Sequence, residues 1–451
     1  MKQIDVLPDD ALLEIFGFYM VLSPGYSKTE IERWQSLVHV CRRWRSLIFE
    51  SPRRLNLQLL CTPLTSTRDK LDVWPALPLI VQGGLPLGSL VPDTDNITAA
   101  LGHSNRVCQV NLWDLVDWQL EEVLAAMQLP FPELTRLRLS SYDETPPVIP
   151  DSFLGGSAPR LRDFNLFGIP FPGLPKLLLS ATHLVQLHLS YIPHSGYFSP
   201  EAIVALLSVL SSLKSLSLEF ESPESRPDRE NRSLPSLKRS ILPTLEHFRF
   251  KGVTEYLDDL VTRIDAPQLN TLQITFFNQI YFDAQRLAQF INRTPKLGKH
   301  DEAHVDIDDR SVRVMFGTLE IFIPCGEPDR LLSSVAQVCN PSFPSTVEDL
   351  YIEHWSSRLA GQNDAIENTL WLQLLLPFTA VKNLYLCKEF APGIAAALQE
   401  LVGARITEVL PSLRNIFARR LQPPGPFQES IWQFVAAREL SGRPIAISVW
   451  E

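Results

Sequence analysis

The segment Leu134-Thr-Arg-Leu137-Arg-Leu139 decides the fold, because its pattern recurs along most of the chain. An apolar residue is followed by two polar residues, an apolar residue, one polar residue and a last apolar residue. This alternation predicts a short strand that buries one set of side chains and turns the other set outward. Clear copies of the pattern begin at Val107, Leu134, Leu161, Leu184, Leu213, Leu245, Leu269, Val347 and Val381.

Successive copies between residues 107 and 269 begin 23 to 32 residues apart, with helical stretches between several of them. A strand, a turn and a helix repeated at this interval resemble leucine-rich repeats. One such unit cannot bury its apolar face alone, so neighbouring units must stack. We therefore predict an α/β fold, an irregular leucine-rich-repeat-like solenoid with parallel strands on the concave face and helices on the convex face. The predicted helices span 119–128, 199–212, 283–294, 328–339 and 392–402.

Two weaker segments extend the pattern. Leu319-Glu-Ile321-Phe-Ile323 predicts one more strand in the long interval after residue 269, and a last copy begins at Leu413. The asparagine that usually follows the strand of a leucine-rich repeat is mostly missing. Because that asparagine satisfies backbone groups in the turn, we expect the array to be irregular.

The polar positions inside the strands are the candidate target-binding residues. In a stack of parallel strands these positions share one face, which is the natural binding surface of a solenoid. Their mixed charge favours a protein or peptide, of unknown identity, over a polyanion. The predicted target-binding residues are Arg136, Arg138, Asp163, Asn165, Gln186 and His188.

Aromatic residues stand shortly after several strand ends, among them Tyr142, Phe167, Tyr191 and Phe220. Most large aromatic side chains in proteins are buried, so packing between strand and helix is the favoured interpretation. The alternative is that these rings anchor a bound protein.

The first 55 residues differ from the repeats. A helix is predicted after Pro8, and a second one carries apolar residues at intervals of three and four from Trp34 to Ile48. A module this small cannot bury much apolar surface, so the repeat body or a partner protein should cover the rest. The apolar stripe of the first helix comprises Leu12, Ile15, Phe16 and Tyr19.

This amino-terminal region resembles an F-box. The resemblance begins with Leu7-Pro8 before the first helix and includes Val40-Cys41-Arg-Arg-Trp44-Arg in the second half. It covers about the first 55 residues. It implies that the module docks onto a Skp-family adaptor, which joins a cullin-RING ubiquitin ligase. The residues that it implies for adaptor binding are Leu7, Pro8, Leu12, Ile15, Phe16, Leu37, Val40, Cys41, Trp44 and Leu47.

The carboxyl end predicts a cap for the last repeat. The segment from Gln428 to Glu451 has the pattern of a helix, a stop at Ser441-Gly442 and a closing strand. It resembles the end of fungal F-box proteins with irregular leucine-rich bodies. We therefore predict a helical F-box module at 1–56, a solenoid at 57–427 and a cap at 428–451.

Composition excludes several classes of protein. The chain has 451 residues and a net charge of -10, which argues against general nucleic-acid binding. No apolar run approaches the roughly 18 residues of a membrane span, and the first residues do not resemble a signal peptide. We expect a cytoplasmic or nuclear protein without membrane association. The six cysteines are scattered, which predicts reduced thiols rather than a disulfide framework.

No motif indicates catalysis or a cofactor. The acidic run at 301–309 lacks the glycine and distal glutamate of a calcium loop, and Val305 and Ile307 alternate with its polar residues as in a strand. We therefore expect no metal, no cofactor and no enzymatic activity. Two alternatives to a ligase subunit stay open: an interaction scaffold without ligase association, and an enzyme whose site lies in the degenerate stretch 275–346.

Overall fold

The computed structural model describes most of the residues of the chain. They are 7–21, 33–50, 57–63, 66–73, 76–84, 91–172, 174–227, 239–277, 285–297, 300–308, 310–324, 346–354, 367–401, 403–419 and 426–450. The chain divides into two units, residues 1–221 and 222–451, which we describe separately. The predicted boundaries at residues 56 and 427 stay predictions.

The first unit contains a helical module followed by a parallel sheet. Strands β1 to β7 lie side by side in chain order, and each neighbouring pair is parallel. The helices of the module are α1 (Asp9–Val21), α2 (Arg33–Val38) and α3 (Arg42–Glu50). The remaining elements are β1 (Leu57–Leu60), α4 (Thr67–Val73), β2 (Leu79–Gly83), α5 (Thr94–Leu101), β3 (Val107–Leu112), α6 (Asp117–Ala126), β4 (Arg136–Ser140), β5 (Asp163–Phe167), α7 (Leu174–Leu178), β6 (Gln186–Ile192), α8 (Pro200–Leu207) and β7 (Ser215–Phe220).

The apolar positions of the repeated pattern form continuous rows in the core of the first unit. Leu137 lies in register with Phe164, and Phe164 with Leu187, because the strands pair without slippage at this level. All three side chains are buried. The leucine-rich-repeat-like body predicted from the pattern is therefore confirmed, and the sheet also includes β1 and β2, which the pattern did not predict.

The second unit continues the same architecture with one inversion. Its main sheet has the order β9-β11-β14-β13-β12-β15-β16-β17-β18. Its elements are β8 (Ser240–Ile241), β9 (His247–Gly252), α9 (Thr254–Val261), β10 (Ile264–Asp265), β11 (Thr271–Phe276), α10 (Gln285–Asn292), β12 (Glu302–Asp308), β13 (Ser311–Phe316), β14 (Leu319–Pro324), β15 (Asp349–His354), α11 (Asn368–Leu375), β16 (Asn383–Leu386), α12 (Ala391–Gln399), β17 (Asn415–Arg419), α13 (Pro426–Leu440) and β18 (Ala446–Trp450).

The inversion lies in the interval where the repeats were hard to recognise. The strand predicted at Leu319–Ile323 is confirmed as β14, but it belongs to an antiparallel meander with β13 and β12. As a result β14, not β12, pairs with β11, and β12 pairs with β15. Both of these pairings are parallel, so the meander joins two stretches of repeat-like sheet. The helix predicted at 328–339 lies outside the described residues.

The other predicted helices are present with slightly different bounds. Helix α8 begins after Ser199, whose hydroxyl accepts a hydrogen bond from the backbone N–H of Ala202 at 3.2 Å. The segment predicted to cap the last repeat forms α13 and β18: α13 ends near Gly442, whose φ of +75° suits glycine, and β18 pairs in parallel with β17.

The described cysteines are reduced and mostly buried. Cys61, Cys108 and Cys387 are free thiols in the core, and Cys41 is half-buried. Burial raises the pKa of the Cys61 and Cys387 thiols to about 12 and that of Cys108 to about 11. These three thiols are protonated at neutral pH and therefore unreactive, because the thiolate is the nucleophile.

Candidate docking surfaces

The start of the helical module is fixed by Arg43 of α3. Its guanidinium Nη2 donates to the backbone carbonyl of Leu7 at 2.5 Å and to the Asp9 carboxylate at 2.7 Å. The same arginine therefore ties the Leu7-Pro8 segment and the first turn of α1 to α3.

Helix α1 is apolar over more than half of its circumference, and the structure divides this surface. Leu12 and Phe16 are buried, and the Phe16 ring lies 4.7 Å from that of Trp44. Ile15 and Phe18, by contrast, are 48% and 65% exposed. Because successive helical residues are rotated by about 100°, these residues lie on adjoining sides of the helix. The predicted stripe therefore supplies both the core of the module and an exposed apolar surface.

The ten residues implied for adaptor binding fall into three groups. Pro8, Ile15 and Val40 are exposed. Leu7, Cys41, Trp44 and Leu47 are half-buried. Leu12, Phe16 and Leu37 are buried inside the chain. Sequence reasoning missed Phe18, although its position one turn before Val21 in an apolar helix could have suggested it.

The six predicted target-binding residues come together on the outward side of strands β4, β5 and β6. Arg136, Asp163 and Gln186 form one cross-strand row. Arg138, Asn165 and His188 form the next row. The structure therefore places all six predicted residues on one polar face, as the alternation of the pattern requires.

The centre of this polar face is a buried carboxylate shared by two arginines. Asp163 Oδ2 accepts a hydrogen bond from Arg136 Nε at 2.9 Å and another from Arg138 Nη2 at 2.7 Å. Only 8% of the Asp163 side chain is exposed, whereas the arginines remain partly open to solvent. Because one carboxylate holds both guanidinium groups, their positions on the face are defined and their remaining N–H groups can meet a ligand.

Three aromatic rings lie at the carboxyl-terminal edge of the same strands. The ring of Phe167 is 4.7 Å from that of Tyr142 and 4.6 Å from that of Tyr191. Tyr142 is 70% exposed and Tyr191 is 45% exposed, so the interpretation of these two as core residues is wrong. Phe220 is fully buried and confirms that interpretation at its position. Exposed tyrosines that pack on one shared phenylalanine ring are suited to anchoring a protein ligand.

The shared carboxylate gives a first test of this face. We expect Asp163→Asn to lower the free energy of unfolding by about 1–2 kcal/mol, because two guanidinium groups lose their charged acceptor. Asp151→Asn is the matched control, since Asp151 pairs with Lys176 at 3.2 Å and both side chains are largely exposed. The control should change stability by less than about 0.5 kcal/mol. Urea denaturation of both variants measures the difference, and equal effects would contradict a central role for Asp163.

The structure also bears on metal and membrane sites. Among the described residues, no group of three or more His, Cys, Asp or Glu side chains is arranged to hold a metal ion. Within the same residues, the structure contains no helix of the length and apolarity that a membrane crossing needs.

No protein-family model matches the chain, and no curated protein matches it. Among solved structures, the chain is similar to the leucine-rich repeat-containing protein LegL7 from Legionella pneumophila, with 14% identity. That match covers 86% of this chain and 98% of the other, with a TM-score of 0.26. The fold described above therefore rests on this chain's own strand pairing.

Proposed function

We propose that this chain is a substrate-recognition subunit of a cullin-RING ubiquitin ligase. Its helical module docks onto a Skp-family adaptor, and the polar face of strands β4 to β6 holds the target protein. The observation that carries the proposal is the exposed apolar surface of α1 in the module, formed by Ile15, Phe18 and Tyr19, and Val40 of the module is exposed as well. The resemblance of the Leu7-Pro8 and Val40–Trp44 segments to an F-box adds to it.

An exposed apolar surface on so small a module is best explained by a partner. Ile15, Phe18 and Tyr19 lie within five residues of one helix, and each exposes more than a third of its surface. Contiguous exposed apolar patches on soluble proteins mark interaction sites. The module keeps its own core of Leu12, Phe16 and Ile48, so it does not need the exposed residues in order to fold.

The proposed mechanism is proximity, with no bond chemistry by this chain. The adaptor side recruits a ubiquitin-conjugating enzyme, and the polar face holds a target nearby. Holding the target protein and the ubiquitin-conjugating enzyme in one complex raises the effective concentration of the target's lysines around the ubiquitin that the enzyme carries. Catalysis therefore belongs to the partners, and specificity belongs to the face around Asp163 and the Tyr142 ring cluster.

Substitution of the exposed apolar residues tests adaptor docking. We expect Ile15→Ser combined with Phe18→Ser to weaken co-purification with a Skp-family adaptor by at least about tenfold, since buried interface anchors contribute about 2 kcal/mol or more. Thermal melting should be unchanged, because both side chains are exposed. The matched control is Leu129→Ser with Leu179→Ser, two exposed leucines elsewhere in the first unit.

The same experiment distinguishes the proposed ligase subunit from the alternative, an interaction scaffold without ligase association. If the wild-type chain captures no adaptor, or if both double variants retain it equally, the helical module does not dock in the proposed way. The polar face would then support protein binding alone, and the module would serve as a cap of the sheet. Removal of residues 1–56 would in that case leave an insoluble body.

A further inference from the structure

A row of stacked aromatic rings lies on the outward side of the sheet in the second unit. His304, Tyr351, Tyr385 and Phe417 occupy adjacent strands in register. Their ring centroids are separated by 4.4, 4.2 and 4.6 Å, and neighbouring planes differ by only 6° to 10°. Because the ring faces cover one another, the row can offer a ligand mainly ring edges and the tyrosine hydroxyls.

These rings are not part of the core. The residues next to them in sequence, such as Val305, Ile352 and Ile416, are buried on the opposite side of the sheet. The four rings themselves are half-buried. A side-chain amide ladder runs beside them, in which Asn383 donates to Asp349 at 2.5 Å and Asn415 donates to Asn383 at 2.7 Å. The ladder fixes the strands that carry the rings, so the row forms a preorganised apolar strip.

Carboxylates lie on both sides of this strip. Glu302 is in register with Asp349 before the rings, and Asp306 is in register with Glu353 after them. Like charges placed directly opposite each other in a sheet are destabilising. Strands β12 and β15 contain no lysine or arginine, and their basic side chains are His304, whose Nδ1 lies 4.0 Å from Glu353 Oε2, and His354. Burial, followed by the charge of Glu353, raises the pKa of Asp306, which reflects this unfavourable setting.

A nearby arginine is already engaged. Arg313 of β13 lies opposite Asp306, but its Nε pairs with Glu320 Oε1 at 3.1 Å. Glu320 also accepts a hydrogen bond from Gln273 at 3.0 Å, so the charge of Arg313 is shared between this polar network and Asp306, whose pKa it lowers. The strip between the two carboxylate pairs therefore favours positive charge from outside the unit.

We propose that this strip binds an extended basic segment of a partner protein, with Lys or Arg at positions i and i+4 and an apolar residue at i+2. The two carboxylate pairs are four residues apart along their strands, or about 13 Å, and side chains at i and i+4 of an extended peptide span the same distance. The basic side chains would contact the carboxylate pairs, and the apolar side chain would cover the ring edges. A polyanion would be repelled. This surface lies in the second unit and uses no residue of the adaptor-docking module.

Fluorescence anisotropy with the full chain and labelled peptides tests the proposal. The probe is an acetylated peptide containing Arg-Ser-Leu-Ser-Arg, compared with Glu-Ser-Leu-Ser-Glu and Arg-Ser-Ser-Ser-Arg. We expect binding of the first, loss of binding with the acidic peptide, and binding several-fold weaker when the leucine is replaced. Affinity for the first peptide should fall with added salt, because Glu302, Asp349 and Glu353 are exposed or half-buried.

Protein variants show whether binding occurs at this strip. The double variant Glu302→Gln with Asp349→Asn should bind the arginine peptide about tenfold more weakly than the wild type, which corresponds to about 1.4 kcal/mol. Glu121→Gln with Glu122→Gln is the matched control, since it removes the same charge from the exposed side of α6 in the first unit. Both double variants should melt at or above the wild-type temperature. Equal weakening by the two double variants, binding of the acidic peptide, or no effect of the leucine would overturn the proposal.

Discussion

Replacing Arg438 with Met is expected to destabilise the second unit by about 3 kcal/mol. Arg438 lies in α13, and its side chain is completely buried. Its guanidinium donates to the backbone carbonyls of Ile406 at 3.2 Å and of Leu410 and Leu413 at 3.3 Å. Methionine would fill most of the volume but leave these carbonyls without donors in the interior. Each buried unsatisfied group costs about 1–3 kcal/mol, partly offset here by the loss of a buried charge.

The role of Arg438 follows from its position in the cap. Burial is the main factor that lowers the pKa of its guanidinium, which shows that the charge is poorly solvated. No carboxylate among the described residues pairs with it, so backbone dipoles provide its stabilisation. The carbonyls that it binds belong to the irregular segment before β17, where Leu410 has a φ of +48°. Arg438 therefore joins the final helix to the last turn of the repeats.

Urea denaturation measures this effect. Arg405→Met is the control, because Arg405 forms an exposed pair with Glu408 and should contribute less than about 0.5 kcal/mol. The loss in free energy of unfolding for Arg438→Lys should lie between those of Arg405→Met and Arg438→Met, since one ammonium group cannot reach all three carbonyls. A change below about 1 kcal/mol for Arg438→Met would show that the buried guanidinium is not needed to hold the cap.

Gly168→Ala is expected to destabilise the first unit by about 3 kcal/mol or more. Gly168 follows β5 with a φ of +69°, a conformation that costs a residue with a Cβ about 1–2 kcal/mol. A Cβ here would also overlap the carbonyl oxygen of Ser141. That backbone would have to shift, although Ser141 N donates to Phe167 O at 3.0 Å and Gly168 N donates to Ser190 O at 2.9 Å. Such overpacking typically adds 1–3 kcal/mol.

Gly156→Ala separates the two contributions. Gly156 has a similar φ of +75°, but the nearest atom to an added Cβ is Asp151 O at 3.8 Å. The free energy of unfolding of the Gly156→Ala control should therefore fall by only about 1–2 kcal/mol, which is the cost of a positive φ for a residue with a Cβ. Thermal or urea unfolding of both variants gives the difference. Equal losses would mean that the close approach of Gly168 to Ser141 is unimportant for stability.

The candidate sites were predictable to different degrees. The alternation around Leu137 and Leu139 was enough to place Arg136 and Arg138 outward, and register between copies brought them to Asp163. The aromatic row was not predicted, although Tyr351, Tyr385 and Phe417 occupy the same outward position between two apolar residues in three strands. That shared position is the signal that sequence reasoning missed.

The sequence by itself determined the period of the repeats, the strands at most of their copies, the helices between them and the closing helix and strand. These features depend on side-chain alternation and on local helix and turn preferences, which act within about ten residues of chain. Only the tertiary structure decided that α1 buries Phe16 and exposes Phe18, that β14 takes the place of β12 beside β11, and that four rings stack. Such outcomes depend on contacts between residues far apart in the chain, and no local pattern encodes them.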